Sequence, residues 1–399
     1  MKSFVVKPFC ATYYNPSRIK NYSNVICPPY DVISPKQLSS LRKKSPYNFS
    51  HILVADKNNH KEKGLLLDKW VKKGVLVDDQ EESYYLNEQK FNVEGKTFMR
   101  FGFLSLLKMD KKGIFPHEHT LSAPKVDRKK IIRATKANLS PIFIIASKRL
   151  NEFAKVYKIY SKQKPLFEFK DSDNNPNRVW KISDKKHIVE LGNAINKCKL
   201  TIADGHHRFE ISYDYFKKNK NKFKDINRVL AYVTDCQEGL NIMPTHRVVT
   251  VEDKDKEFFK KLDQCFKVEK VTQGELAKKL KSYSGFNLGI CKKNQCYFLS
   301  LKDKATLDKI PNKLYRELDT YLLHQLILPL FKTKGAIEYT HSLGEAKKMA
   351  IKGKVAFVLR AVPLDAVFKI ASQGFRLPQK STYFYPKVAS GVTIRRFKP

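Results

Sequence analysis

The sequence predicts a mixed α+β protein built from two regions, and three observations carry that expectation. The chain has 399 residues, enough to bury a sizeable core and to form more than one domain. Hydrophobic residues make up 42% of it and aromatic residues 12%, which marks a globular chain and not a disordered one. Up to about residue 250, short apolar runs alternate with helical patterns; beyond Glu252 the helical patterns dominate. The regions expected are therefore 1–250 and 251–399, the second helix-rich and of α+β character.

Taken in order, the elements follow from local chemistry. Apolar and polar residues alternate from Val5 to the turn at Asn15-Pro16. Val25-Ile26-Cys27 then runs into Pro28-Pro29, a stiff segment that fixes where Tyr30 and Asp31 point. Ser34 reads as an N-cap and Pro35 as the first residue of a helix to about Lys44. Tyr47 to Val54 reads as a strand. A helix carrying Leu65, Leu66 and Trp70 stops near Gly74, and Ser83–Phe91 with Thr97–Leu107 form a hairpin about Glu94-Gly95. His117 and His119 alternate in an extended segment, with Glu118 facing the other way. That geometry permits a two-histidine metal site or acid/base chemistry; the spacing is not that of a helical zinc protease. A polar helix from Ser122 to Ala137 carries Asp127, Arg128 and Arg133, and Pro141 to Ala146 is a buried strand. A helix over 152–162, a helix capped by Ser183-Asp184 and strands at 200–203 and 228–234 follow.

Beyond His246 and Arg247 come helical patterns at 255–265, 273–284 and 313–331, with a hairpin of Leu288–Cys291 and Cys296–Leu301 between them. Near the end, Pro378 to Lys387 offers Lys380, Ser381, Tyr383 and Lys387 as donors suited to phosphate or carboxylate. An aromatic terminal strand is the other reading of that stretch.

The chemistry concentrates at Lys199–Lys217. Leu200 to Ala203 is a strand, Asp204-Gly205 breaks it, and a helix with Phe209, Tyr213 and Phe216 on one face begins at once. His206, His207 and Arg208 thus sit at a helix N-terminus, where unpaired N–H groups and the positive dipole end suit an anion. Arg208 adds a guanidinium fork for phosphate or carboxylate.

Asp204-Gly205-His206-His207-Arg208, followed by Phe209-Glu210, resembles the signature of a prokaryotic family, domain of unknown function 1015. Pro28-Pro29-Tyr30-Asp31-Val32, His117-Glu118-His119-Thr120 with Asp127-Arg128, Pro244-Thr245-His246-Arg247 and Pro378 to Lys387 match the same family. That family in turn resembles the ParB/sulfiredoxin-like superfamily, whose corner binds nucleotide phosphates, and free-serine kinases share the Asp-Gly-His-His-Arg form. The resemblance implies a ParB/sulfiredoxin-like nucleotide-binding region over 1–250 and a C-terminal region whose tail returns to the site. It implies ATP or ADP with Mg²⁺ as cofactor and phosphoryl transfer to a small hydroxyl substrate. Asp204, Gly205, His206, His207 and Arg208, with Lys380 and Ser381, would hold phosphate. Tyr30, Arg128, His246, Tyr383 and Lys387 would contact substrate. Catalytic candidates are Asp31, His117, Glu118 and His119. The kinases use an N-terminal Glu as base, whereas the first Glu here is Glu62, so Asp31 would serve. Two other readings stay open: a nucleotide-dependent DNA-binding switch, and a metal-assisted hydrolase using His117, His119, His206 and His207. Asp31, the His117 segment and Lys380–Tyr383, each stiffened by proline, are expected to converge on Gly205.

Composition bounds the rest. The formal net charge is +38, and 15 of the 77 basic residues are Arg, leaving 62 Lys spread along the chain. Diffuse Lys makes a solvated surface, whereas nucleic-acid readers cluster Arg on one face. Non-specific polyanion binding at low salt is expected all the same. Seven scattered cysteines without a C-x-x-C pair exclude a disulfide frame or cysteine zinc site. With no secretory signal and no membrane-length apolar run, a cytoplasmic location is expected.

Overall fold

Alternating β-branched and aromatic positions along the chain become the two large sheets of the computed structural model, which describes residues 5–56, 59–110, 113–118, 123–282 and 285–399. Helices and strands mix throughout, an α+β protein as expected. The described residues separate into two units: one of 5–116, 123–241 and 386–399, the other of 117–118 and 242–385.

Among the described residues the first unit holds a nine-stranded sheet. Its order runs Ile114–Pro116, Leu200–Asp204, Ile142–Ala146, Arg228–Thr234, Lys96–Lys108, Tyr84–Val93, Pro176–Ile182, Phe167–Lys170, with Val6–Lys7 added beside Lys96–Lys108. Leu200–Asp204 is parallel to Ile114–Pro116 and antiparallel to Ile142–Ala146. Fully buried Ile142, Ile144, Ile202 and Val233 make these central strands read as continuous apolar runs. The helices Asn151–Tyr160 and Lys185–Asn196 cover this core with Phe153, Val156, Leu191 and Ile195. A second cluster joins Ile132 and Ile211, on the helices Ala123–Thr135 and His206–Lys218, to Phe397 of the tail. The tail is further fixed by antiparallel pairing of Arg395–Arg396 with Ala137–Asn138.

The hairpin Tyr84–Val93/Lys96–Lys108 turns where expected. Glu94 and Gly95 both take left-handed backbone (φ 52° and 81°), the pair of values a two-residue turn needs to match strand twist. Ser34 caps the helix Pro35–Lys44, accepting from the Gln37 N–H at 3.2 Å. Tyr47 to Val54 is not a strand. The Asn48 side chain accepts from the Ser50 N–H (3.1 Å) and donates to the Asn24 carbonyl (2.7 Å), and a short helix, Ser50–Leu53, follows. Local side-chain bonding of this kind outcompetes strand pairing.

Among the described residues the second unit is organised on a sheet of six antiparallel strands in the order Phe266–Val271, Gln295–Leu301, Asn287–Lys292, Lys354–Val358, His246–Val251, Thr333–Thr340. Alternate strand residues feed two cores. Val249, Ile290 and Phe357 meet Phe258 and Ile370 on the helices Asp255–Asp263 and Leu364–Ser372. Val248, Phe298 and Ala356 meet Leu276 and Ala346 on the helices Gln273–Ser282 and Leu343–Met349. Cys291 and Cys296 face each other across a strand pair with sulfurs 2.8 Å apart, at the facing ends of the expected hairpin. The helix expected over 313–331 is broken into a 3-10 turn (Lys313–Glu317), an α-turn (Asp319–Leu322), a π-turn (Leu323–Ile327) and a second 3-10 turn (Leu328–Leu330). Pro329 accounts for the last break, since it has no N–H to give and crowds the carbonyl one turn back. Among the described residues no helix is long and apolar enough to cross a membrane.

Candidate functional site

The corner at Gly205 is built by a strand, a bulge and a helix. Leu200–Asp204 shifts register against Ile144 and Phe143 between Ile202 and Asp204, which re-aims the Asp204 carboxylate. Gly205 then takes φ 87°, and a Cβ there would lie 3.0 Å from the Arg208 guanidinium and 3.1 Å from Ile142. Glycine is therefore required both by the backbone and by the space. Its carbonyl accepts the Phe209 N–H at 2.9 Å, opening the helix His206–Lys218.

Asp204 is the electrostatic centre. One carboxylate oxygen accepts from Arg208 at 2.6 Å and the other from Lys387 at 2.9 Å. Burial pushes the Asp204 carboxyl up, but Lys387 and Arg208 outweigh it and hold the group well below the usual carboxylate range. Arg208 also donates to the Pro141 carbonyl. The sequence suggested an open fork at Arg208; in the structure two of its nitrogens are already engaged within the protein.

Tyr30 and Arg128 belong to the same neighbourhood. Tyr30–Val32 forms a single 3-10 turn after Pro29, with Asp31 exposed in it. The Arg128 guanidinium carbon stands 4.2 Å from the Tyr30 ring centre, a cation–π contact. Arg128 is itself held by Asp127 and by the Leu53 carbonyl, each at 2.7 Å, and His60 bonds Asp127 at 2.7 Å. Burial and the nearby Asp31 charge push the Tyr30 hydroxyl up to about 12, against the pull of Arg208 and Arg128. Tyr30, Arg128 and Arg208 share the wall of a cavity of about 50 Å³.

The second unit gathers another set. The His117 carbonyl accepts the Leu377 N–H at 2.7 Å, and its Nε2 lies 2.8 Å from the Thr382 hydroxyl. The Glu118 carboxylate accepts the Lys380 backbone N–H and stands 3.9 Å from His117 Nε2. Lys380 takes a left-handed φ of 57°, and the Ser381 hydroxyl bonds the Pro378 carbonyl at 2.6 Å. The Tyr383 ring stacks on His341 at 3.6 Å. His246 is buried, accepts the Leu359 N–H on Nδ1 at 3.2 Å, and is pushed down to about 4 by burial and by His341 and Arg247.

The structure thus gathers the named residues in two sets, each within one unit. The first holds Tyr30, Arg128, Asp204, Gly205, Arg208 and Lys387; the second holds His117, Glu118, Lys380, Ser381, His246 and Tyr383. His206 and His207 open the helix of the first set. His119 lies outside the described residues, and among the described ones no group of three or more His, Cys, Asp or Glu is placed to hold a metal.

Two arginines escaped the sequence reading of site residues. Arg100 is fully buried over the Phe143 ring (4.7 Å) and donates to Gln89 and the Pro386 carbonyl. It fixes the start of the tail segment that delivers Lys387. Arg247, also fully buried, stands beside His246. An arginine in a run of otherwise apolar strand residues was the available signal in both cases.

Fold and corner together define an α+β protein with a strand–glycine–helix turn closed by a carboxylate between two cations. The chain belongs to the family described as "Protein of unknown function (DUF1015)", whose model matches residues 6–321. No curated protein sequence matches it. Among solved structures, SbnI from Staphylococcus aureus with a C-terminal truncation is 11% identical, covering 73% of this chain and 87% of that one, at a TM-score of 0.41. A free serine kinase mutant in complex with ADP is 10% identical, covering 70% and 87%, at 0.37. A conserved hypothetical protein from Pyrococcus furiosus is 12% identical, covering 73% and 95%, at 0.37. These likenesses are too loose to transfer a function.

Proposed function

We propose that the corner Asp204–Arg208 binds the phosphates of a nucleotide, ATP or ADP, and that the protein transfers phosphoryl to a small hydroxyl substrate. The observation that carries this reading is the left-handed Gly205 launching a thirteen-residue helix beside a carboxylate shared by two cations. Lys387 and Arg208 outnumber Asp204, so the turn keeps a net positive charge next to a helix N-terminus. Arg208 acts here by stiffening the turn through Asp204 and Pro141, and the ligand-facing donors are the first helical N–H groups with His206 and His207. Phosphoryl transfer asks mainly for positioning and charge stabilisation, which such a corner supplies. Of the carboxylates named as base, Glu118 is engaged by the Lys380 N–H, whereas Asp31 stands exposed on a proline-stiffened turn. Asp31 is therefore the base we assign, with Tyr30 and Arg128 beside it as substrate contacts. Mg²⁺ would be held chiefly by phosphate oxygens. Asp204, with both oxygens engaged, is not a fitting ligand.

The test is calorimetric titration with ADP and with ATP–Mg²⁺, followed by phosphorus NMR of reactions offered serine and simple polyols. Both nucleotides should bind, Lys387→Met should weaken them about 10-fold, and Asp31→Asn should bind normally yet form no product. Absence of binding by either nucleotide removes the corner as a phosphate site. Binding without any phosphorylated product removes the transferase.

A further inference from the structure

The hairpin Asn287–Lys292/Gln295–Leu301 lies wholly in the second unit, and what it carries is independent of the nucleotide reading. It turns through Lys293 and Asn294, both in left-handed backbone (φ 50° and 63°). Two such residues match the strand twist and pin the register. Lys292 therefore faces Gln295, and Cys291 faces Cys296. The pair flanking a two-residue loop exchanges both backbone bonds. The next pair out does not, and its Cα atoms approach to about 4.5 Å. That lies within the span of roughly 4.4–6.8 Å that a disulfide bridges without backbone movement. The side chains agree with the backbone. The sulfurs stand 2.8 Å apart, and roughly 0.8 Å of further approach, within reach of side-chain rotation, gives a bonded separation.

Both thiols are free, and both are buried, at 0% and 2% exposed. They share one core cluster with Val271, Leu276, Ala346 and Ala356. Packing alone asks only for small apolar side chains there. Two sulfurs in contact add a chemistry that Ala or Val lacks. Lys293 and Asn294, in the loop just beyond, are exposed, and opening of such a loop admits a small oxidant. Burial and the neighbouring Cys296 push the Cys291 thiol up, with Lys347 pulling the other way. Thiolate is therefore scarce, and the reaction is slow.

We propose that Cys291 and Cys296 form a redox site, which a peroxide converts to a disulfide clasping the hairpin end and which a thiol reductant reopens.

The step balances without any further reactant. One thiolate attacks a peroxide oxygen and becomes a sulfenic acid; the second sulfur then displaces its oxygen as water. Two S–H bonds are lost and one S–S bond forms. The pair gives up two electrons and two protons, and the peroxide O–O bond is cleaved to two waters.

The full chain, reduced beforehand, is exposed to hydrogen peroxide for increasing times, unfolded in an alkylating agent and digested with trypsin. Cleavage after Lys292 and Lys293 puts Cys291 and Cys296 on separate peptides. Mass spectrometry then reads their disulfide as a linked pair that dithiothreitol separates. That pair should be the predominant disulfide. The oxidised chain should melt about 5 °C higher than the reduced one, and Cys291→Ala should show neither the linkage nor the gain. Recovery of both cysteines as alkylated thiols after the other five have reacted overturns the site. Linkage of either one to Cys265 overturns it as well, and so does an oxidised chain that melts no higher than the reduced one. The linkage map needs only the wild-type chain, so it decides the matter even where Cys291→Ala fails to fold. None of these outcomes depends on whether the Gly205 corner binds a nucleotide.

Discussion

At the scale of single residues, Asp204 ties local chemistry to acid stability. Its side chain is 17% exposed, and its partners Arg208 and Lys387 are 12% and 10% exposed, so removing the carboxylate strands two nearly buried cations. Asp204→Asn should destabilise the fold by about 3 kcal/mol near neutral pH. The sign of the pH effect follows from the direction of the shift. The folded carboxyl is depressed, so its contribution is complete above the unfolded value of about 4 and drains away as pH falls toward the folded one. Urea unfolding at pH 6 and pH 3 should show the gap between wild type and Asp204→Asn narrowing by roughly 1 kcal/mol. A gap that stays constant or widens in acid contradicts this assignment. The charge pairing itself was invisible in the sequence: Lys387 lies 183 positions from Asp204, and no local pattern announces such a partner. The same holds for Arg247: Pro244 to Arg247 was legible as a motif, but its bonds to the Gln379 and Lys380 carbonyls, more than 130 positions on, were not.

At the scale of elements, the junction of Leu200–Asp204 with His206–Lys218 depends on one glycine. Gly205→Ala places a side chain in left-handed backbone, costing roughly 1–2 kcal/mol, and pushes a methyl against Arg208. The urea midpoint should fall accordingly, and nucleotide affinity with it if the corner holds phosphate. A variant within about 0.5 kcal/mol of wild type would show that the turn tolerates side chains. This corner was readable because glycine, an apolar strand and a 3.6-residue aromatic spacing fall side by side. Tyr47 to Val54 was misread for the opposite reason. Its apolar residues alternate as a strand's would, while the decisive interaction is one amide side chain, Asn48, bonding backbone on both sides. The long apolar stretch to Phe331 likewise showed a helical pattern but not its subdivision, which depends on Pro329 and on the burial of Thr320, Leu322 and Leu323.

At the scale of the whole molecule, the surplus of positive charge is the dominant fact. Many of the acids are consumed in ion pairs, such as Lys181–Asp79, Arg178–Glu88 and Arg360–Asp319, and the excess Lys are left to solvent. Fluorescence anisotropy against unrelated DNA duplexes should therefore give equal affinities that fall steeply with salt and vanish near physiological ionic strength. A sequence preference that survives there would favour a DNA-binding switch.

The last fourteen residues, 386–399, belong to the first unit, although everything from 242 to 385 belongs to the second. Their bonds close very long loops: Gln89 to the Lys387 carbonyl spans 298 positions, and the Ser140–Ser390 hydroxyl pair spans 250. In kinetic terms this is a fold of high contact order. The entropy of closing such loops must be met before the contacts are gained, so folding is slow. The second unit, nearly continuous in sequence, can reach its native state on a growing chain. The first must wait for Lys387, Phe397 and the strand Arg395–Arg396 until the residues of the second unit have been synthesised. The protein is therefore a case in which the part made first is finished last.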